Sequence, residues 1–140
     1  MRCGVLRADR VIVNKSRREM LLLRGESLLR AYRVALGPNP EGHKQQEGDG
    51  RTPEGRYRID RRNPKSRYHL SLHISYPNEA DIECARELGV SPGGDIMIHG
   101  QKDGQLRETD WTQGCIAVTN EEMDEIWDLV PDGTPIDLNP

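Results

Sequence analysis

The sequence predicts a mainly β fold, and three features carry that expectation. With 140 residues the chain has the length of a single domain, 1–140, and can bury a core without disulfides or metals. Only 34% of residues are hydrophobic, with no Phe and with Trp111, Trp127 and four tyrosines as the aromatics, so the core rests on Val, Ile, Leu and Met in thin layers rather than in a helical bundle. The apolar residues also come in short runs broken by turn formers, as strands do.

Taken in order, "VIVNKSRREMLLLRGESLLRAYRVALG" reads as a three-stranded meander broken at "NKSRR" and "RGES". From Gly37 to Gly55 the chain becomes "GPNPEGHKQQEGDGRTPEG", too rich in Gly, Pro and charge for a core element. It is expected to be a long surface loop at the mouth of any cleft. "RYRI" and "YHLSLHISY" resume alternation, with Tyr68, Leu70, Leu72 and Ile74 on an apolar face and His69, Ser71, His73 and Ser75 on a polar one. "NEADIECARELG" has acids early, Ala and Leu at helical spacing and Gly89 to end it, which predicts a short helix.

"DIMIHG" and "CIAVT" are short buried strands. In "TNEEMDEIWDLV", Thr119 stands three residues before Glu122 as a capping box, and Met123, Ile126, Trp127 and Val130 form an apolar stripe. A helix is therefore expected directly after the Cys115 strand, beginning near Asn120. "PDGTPIDL" closes the chain with a turn and a last strand.

The net charge of −3 conceals an asymmetry: residues 1–67 carry 17 Lys and Arg against 8 Asp and Glu, and residues 68–140 carry 3 against 15. The arginines are scattered through strand-like segments without stacking aromatics, so the basic half is expected to face the acidic one rather than nucleic acid. Cys3, Cys84 and Cys115 are odd in number and lack C-x-x-C spacing, which argues against a disulfide framework and a zinc knuckle. No apolar run is long enough to span a membrane. The opening "MRCGVLRAD" lacks an export signature, which suggests a cytosolic chain or one trimmed of its leader.

Two residues able to share a proton stand at the ends of short apolar runs in "IMIHGQKDGQLRETDWTQGCIAVT". Alone, Cys115 reads as a buried small hydrophobe or as a nucleophile; Gly114 favours the latter by clearing space beside the sulfur for a carbonyl. Such a thiol needs a base, and His99, followed by Gly100 at a strand end, is one candidate. His69 and His73 compete with it, and as a pair they raise the question of a metal, but no ligand spacing accompanies them. Backbone N–H groups around Gly114 and Cys115 are natural oxyanion donors.

"IHG", then "TQGC" after a variable loop, with "GDGRTPEGRYRI" upstream, resembles the L,D-transpeptidase catalytic domain of the YkuD type, whose pattern is His-Gly, a loop, then Ser/Thr-x-Gly-Cys. The resemblance covers nearly the whole chain. It implies a β-sandwich of two packed mixed sheets with one or two short peripheral helices, and a Cys/His site under a flap. It makes Cys115 the nucleophile and His99 its proton acceptor and donor, with Gly114, Thr112 and Gly100 as supporting residues. It implies no cofactor and no metal, peptidoglycan stem peptides and a wall-linked lipoprotein as partners, and a place in the cell envelope.

One position departs from the pattern. Ala117 stands where the family usually has Arg, which resembles a branch related to murein-peptide hydrolases and amidases, including proteins that release lipoprotein from peptidoglycan. This leaves open whether the acyl group passes to an amine or to water. Arg51, Arg67 and His73 are the candidate substrate-binding residues. Two other classes remain in play: a wall-binding domain without turnover, and a cytosolic thiol hydrolase.

Overall fold

Period-two alternation buries Val11 and Val13 of the first strand, β1 (Arg10–Asn14), against Leu22 and Met20 of β2 (Glu19–Arg24), their antiparallel register partners. A single turn of 3-10 helix and Arg18, in the left-handed region at φ 51°, make the connection. β3 (Ser27–Arg33) completes the meander. The computed structural model describes residues 6–101 and 110–140, so Cys3 and most of the hydrophilic stretch before Trp111 lie outside the described residues.

The remaining strands are β4 (Gly55–Ser66), β5 (His69–Ile74), β6 (Met97–His99), β7 (Ile116–Ala117) and β8 (Pro135–Asn139), and the helices are α1 (Glu79–Leu88) and α2 (Asn120–Leu129). The strand order is β3-β2-β1-β8-β4-β5-β6-β7, with β1/β8 and β6/β7 parallel and the other pairs antiparallel. β4 belongs to both halves: Gly55–Arg58 pair with β8, and the strand pairs with β5 from Ile59 onward. The two packed mixed sheets are thus halves of one curled sheet. Its far edges meet where Ala35, just beyond β3, bridges Ala117 of β7. Val11, Leu22, Ile59, Leu72, Ile98, Ile116 and Ile136 fill the interior.

Both helices begin as the sequence dictates. In α2 the Thr119 hydroxyl accepts from the Glu122 N–H and the Glu122 carboxylate accepts from the Thr119 N–H; Met123 and Ile126 are buried. In α1 Asn78 and Asp81 form the corresponding box, and Gly89 ends the helix at φ 70°. Among the described residues no helix is long and apolar enough to cross a membrane.

Three details differ from the sequence reading. β4 runs on from Ile59 through Asp60–Ser66, because two register shifts against β5 absorb the irregularity around Pro64. Ser71, expected on an exposed polar face, is buried: α2 packs against β5, and the Ser71 hydroxyl bonds to that of Ser66. β7 is only two residues long, since the chain turns directly into α2.

Candidate active site

The register of the last two sheet strands brings the predicted residues together. Ile98 pairs with Ile116 and His99 with Ala117 in parallel register, so Ile98 and Ile116 enter the core while His99, Ala117 and the preceding Cys115 share the opposite face. A cleft of about 740 Å³ opens there, lined by Cys115, His99, Thr112, Tyr68, Trp111 and Arg67 among others. Pro38, Lys44, Glu47, Gly48 and Gly50 of the long loop line it too.

His99 is 2% exposed. Its Nδ1 lies 2.7 Å from the Gly100 carbonyl oxygen, which can only accept, so Nδ1 carries the proton and Nε2 is left with its lone pair. Burial pulls the imidazole pKa below its ordinary value, and the bond to Gly100 offsets part of that. The ring stacks on Tyr68, centroids 4.4 Å apart and planes 20° apart, with Trp111 tilted against both rings at 5.5 Å. Gly100 has no room for a side chain: a Cβ would strike Asn120 Oδ1 and come within 2.8 Å of the Tyr68 carbonyl.

The Cys115 thiol is partly buried and donates to the Asp95 carbonyl at 3.2 Å. Burial pushes its pKa up to about 11, a hydrogen bond from the Met97 backbone opposes this, nearby Asp95 adds to it, and Lys44 draws it down. Both shifts favour the neutral forms, a thiol at Cys115 and an imidazole at His99. At the thiol, desolvation outweighs the cation nearby.

The turn before Cys115 is held by hydrogen bonds. The Thr112 hydroxyl donates to the Cys115 carbonyl at 2.8 Å and accepts from the Gly114 N–H at 3.2 Å, so that N–H is already engaged and is not an open oxyanion donor. Gly114 sits at φ 123°, and a Cβ there would lie 2.7 Å from the Arg51 carbonyl. The buried Thr52 hydroxyl donates to the Gly114 carbonyl at 2.7 Å. Buried Lys15 fixes Thr52 in turn, donating to its carbonyl at 2.8 Å and to that of Gly42 at 2.9 Å, with Glu54 at 3.1 Å. Asp110 is anchored by Arg18, Nη2 to Oδ2 at 2.8 Å, and accepts from the Leu36 N–H at 3.0 Å.

Of the candidate substrate-binding residues, only Arg67 lines the cleft. Arg51 lends its backbone to the packing of Gly114, while its guanidinium lies near Gly42. His73 pairs with Met97 across β6 from Cys115 and bonds Asp60 at 2.6 Å. His69 bonds Asp124 of α2. Sequence reading missed Lys15, Lys44, Thr52, Tyr68 and Trp111. Thr52 stood inside the quoted "RTPEG", and Tyr68 was assigned to an apolar face; a lysine in a polar turn or loop gives no sign that it will be buried.

Comparisons with known proteins bear on the fold and the family. The family model described as the L,D-transpeptidase catalytic domain (YkuD) matches residues 8–138. YafK of Escherichia coli (strain K12), named as a candidate L,D-transpeptidase, is 34% identical over 105 residues, 74% of this chain and 37% of its own. The chain therefore spans well under half the length of that relative. The helical cell shape determining protein Pgp2 from Campylobacter jejuni superposes with a TM-score of 0.73 at 25% identity, over 94% of this chain and 47% of its own. Bd1075 from Bdellovibrio bacteriovorus does so with 0.66 at 26%, over 94% and 48%. With the family model matched over residues 8–138, nearly its whole length, the chain belongs to the L,D-transpeptidase catalytic domain (YkuD) family.

Proposed function

We propose that this domain is a cysteine acyl-transfer enzyme acting on peptidoglycan stem peptides in the cell envelope, with Cys115 as nucleophile and His99 as acid and base. The observation that carries the reading is the Nδ1–H bond of His99 to Gly100, which leaves Nε2 as a proton acceptor in the cleft that also holds Cys115. The thiol leaves the Asp95 carbonyl, and Sγ attacks an amide carbon of the stem peptide as its proton passes to Nε2. Collapse of the tetrahedral adduct breaks the C–N bond, the amine leaves with the proton from His99, and a thioester remains. Water or a second amine then attacks the thioester carbon as its proton passes to His99; collapse breaks the C–S bond, releases the acid or the new amide, and His99 returns the proton to the sulfur.

Water is the favoured acceptor in this proposal. Ala117 places no cation beside His99, so the face carries no fixed charge of its own at that position for holding an acceptor carboxylate. The test is mass analysis of products from purified muropeptides, with stem tetrapeptide in excess and, separately, with lipoprotein-linked muropeptide. Hydrolysed peptide is expected to dominate, and a dominant cross-linked dimer would restore the transferase reading. Cys115→Ala is expected to abolish turnover without unfolding the domain, with Cys3→Ala and Cys84→Ala as active controls. Carbapenem acylation separates an enzyme from a wall-binding module, whose inert thiol would gain no mass.

A further inference from the structure

Proton transfer to His99 makes a buried imidazolium. The ring is 2% exposed, and its Nδ1 hydrogen-bonds the neutral Gly100 carbonyl. Among the described residues the charged side chains lining the cleft are Lys44, Glu47, Arg67 and Asp95. Lys44 is neutralised by Asp49 at 2.9 Å. None of the ion pairs among the described residues includes His99. What does touch the ring is aromatic: Tyr68 lies nearly parallel over one face, and Trp111 packs against the same pair of rings.

We propose that Tyr68 is a positioning residue for the reaction, its ring face fixing the plane of the His99 imidazole and stabilising the imidazolium formed when Cys115 gives up its proton. The inference rests on the assignment of His99 as the base. An aromatic face attracts a cation through its quadrupole, most strongly where water is excluded. A stacked ring therefore supplies part of what a carboxylate partner supplies elsewhere, while leaving the neutral resting imidazole almost unaffected.

The backbone holds Tyr68 for this. Its carbonyl accepts from the Gly100 N–H at 2.9 Å, tying the stacking ring to the residue that also receives the Nδ1 proton. The next residue, His69, takes a left-handed φ of 76° and bonds Asp124 at 2.6 Å, so β5 is locally turned out of regular alternation where Tyr68 leaves it. That irregularity is why Tyr68, placed on the apolar face by simple alternation, lines the cleft instead.

The experiment is an NMR titration of the His99 imidazole in a Cys115→Ala background, so that no turnover is needed. Tyr68→Phe keeps the ring face and is expected to leave the His99 pKa within ~0.2 unit, whereas Tyr68→Leu lowers it by about half a unit or more. Phenylalanines carrying progressively more ring fluorines at position 68 keep the shape and drain the face of charge; the pKa is expected to fall stepwise along that series. This holds the test open should the leucine variant fail to fold. With Cys115 restored, Tyr68→Leu lowers kcat about threefold to tenfold, and Tyr68→Phe restores it. A His99 pKa indifferent both to leucine and to fluorination overturns the proposal. Retained turnover in His99→Gln would instead overturn the assignment of the base, so the two failures are separable.

Discussion

Ala35 and Ala117 exchange both of their backbone hydrogen bonds, each 2.9 Å long, and so join the two far edges of the curled sheet beside the candidate nucleophile. Ala117 is 2% exposed and shares a face with His99. An arginine here would be a buried cation without an acid among its register neighbours. Ala117→Arg is therefore expected to destabilise the domain by about 3 kcal/mol, through an unpaired charge and overpacking. Thermal denaturation decides it, and an unchanged midpoint would show that the cleft has room and an anion for the guanidinium.

The nucleophile turn depends on the long loop through one hydroxyl. Thr52→Val keeps the shape but leaves the Gly114 carbonyl without its 2.7 Å donor, and is expected to cost about 1–3 kcal/mol. Because that carbonyl adjoins Cys115, kcat is expected to fall further than the folded fraction does. Denaturant unfolding and steady-state kinetics on the same preparation separate the two effects.

Most of the fold was legible because its determinants are local. Alternation located the strands, and Asn120 was identified as the start of α2 from Thr119 and Glu122 alone. His99 and Cys115 each stand beside a glycine at a strand end, but those residues alone left His69 and His73 in competition; it was the resemblance of "IHG" and "TQGC" to the L,D-transpeptidase pattern that paired them. The supports were not legible, because they depend on distant parts of the chain: Lys15 is buried only because the 42–54 loop folds back over it. The direction of the thiol shift was hidden for the same reason. Burial of Cys115 is a property of the closed sheet edge, not of the residues flanking it in sequence.

Alkylation should expose that shift directly. The rate of iodoacetamide reaction at Cys115 is expected to keep rising past the free-cysteine value of ~8.5 towards pH 11, the level to which burial lifts the thiol. Peptide mass mapping reads the modification at Cys115 itself. A plateau for Cys115 below 8.5 would mean a preformed thiolate–imidazolium pair and would refute the neutral resting state.

The buried imidazole also ties stability to acidity, with a definite sign. In the unfolded chain His99 titrates near its ordinary value of ~6.5, and in the fold burial holds it lower. Above pH 6.5 both states are neutral there and the full contribution is present. As pH falls through 6.5 the unfolded state binds the proton first, so stability declines until the folded pKa is passed. The slope is at most about 1.4 kcal/mol per pH unit for this one group. Other groups also contribute to the pH dependence, so the informative quantity is the difference between the wild type and His99→Gln measured at each pH. Denaturant unfolding at intervals from pH 7.5 to pH 5 is expected to show the wild type losing stability relative to His99→Gln as the solution becomes more acidic. A difference that stays flat, or changes in the opposite direction, would mean that His99 enters the fold with its proton.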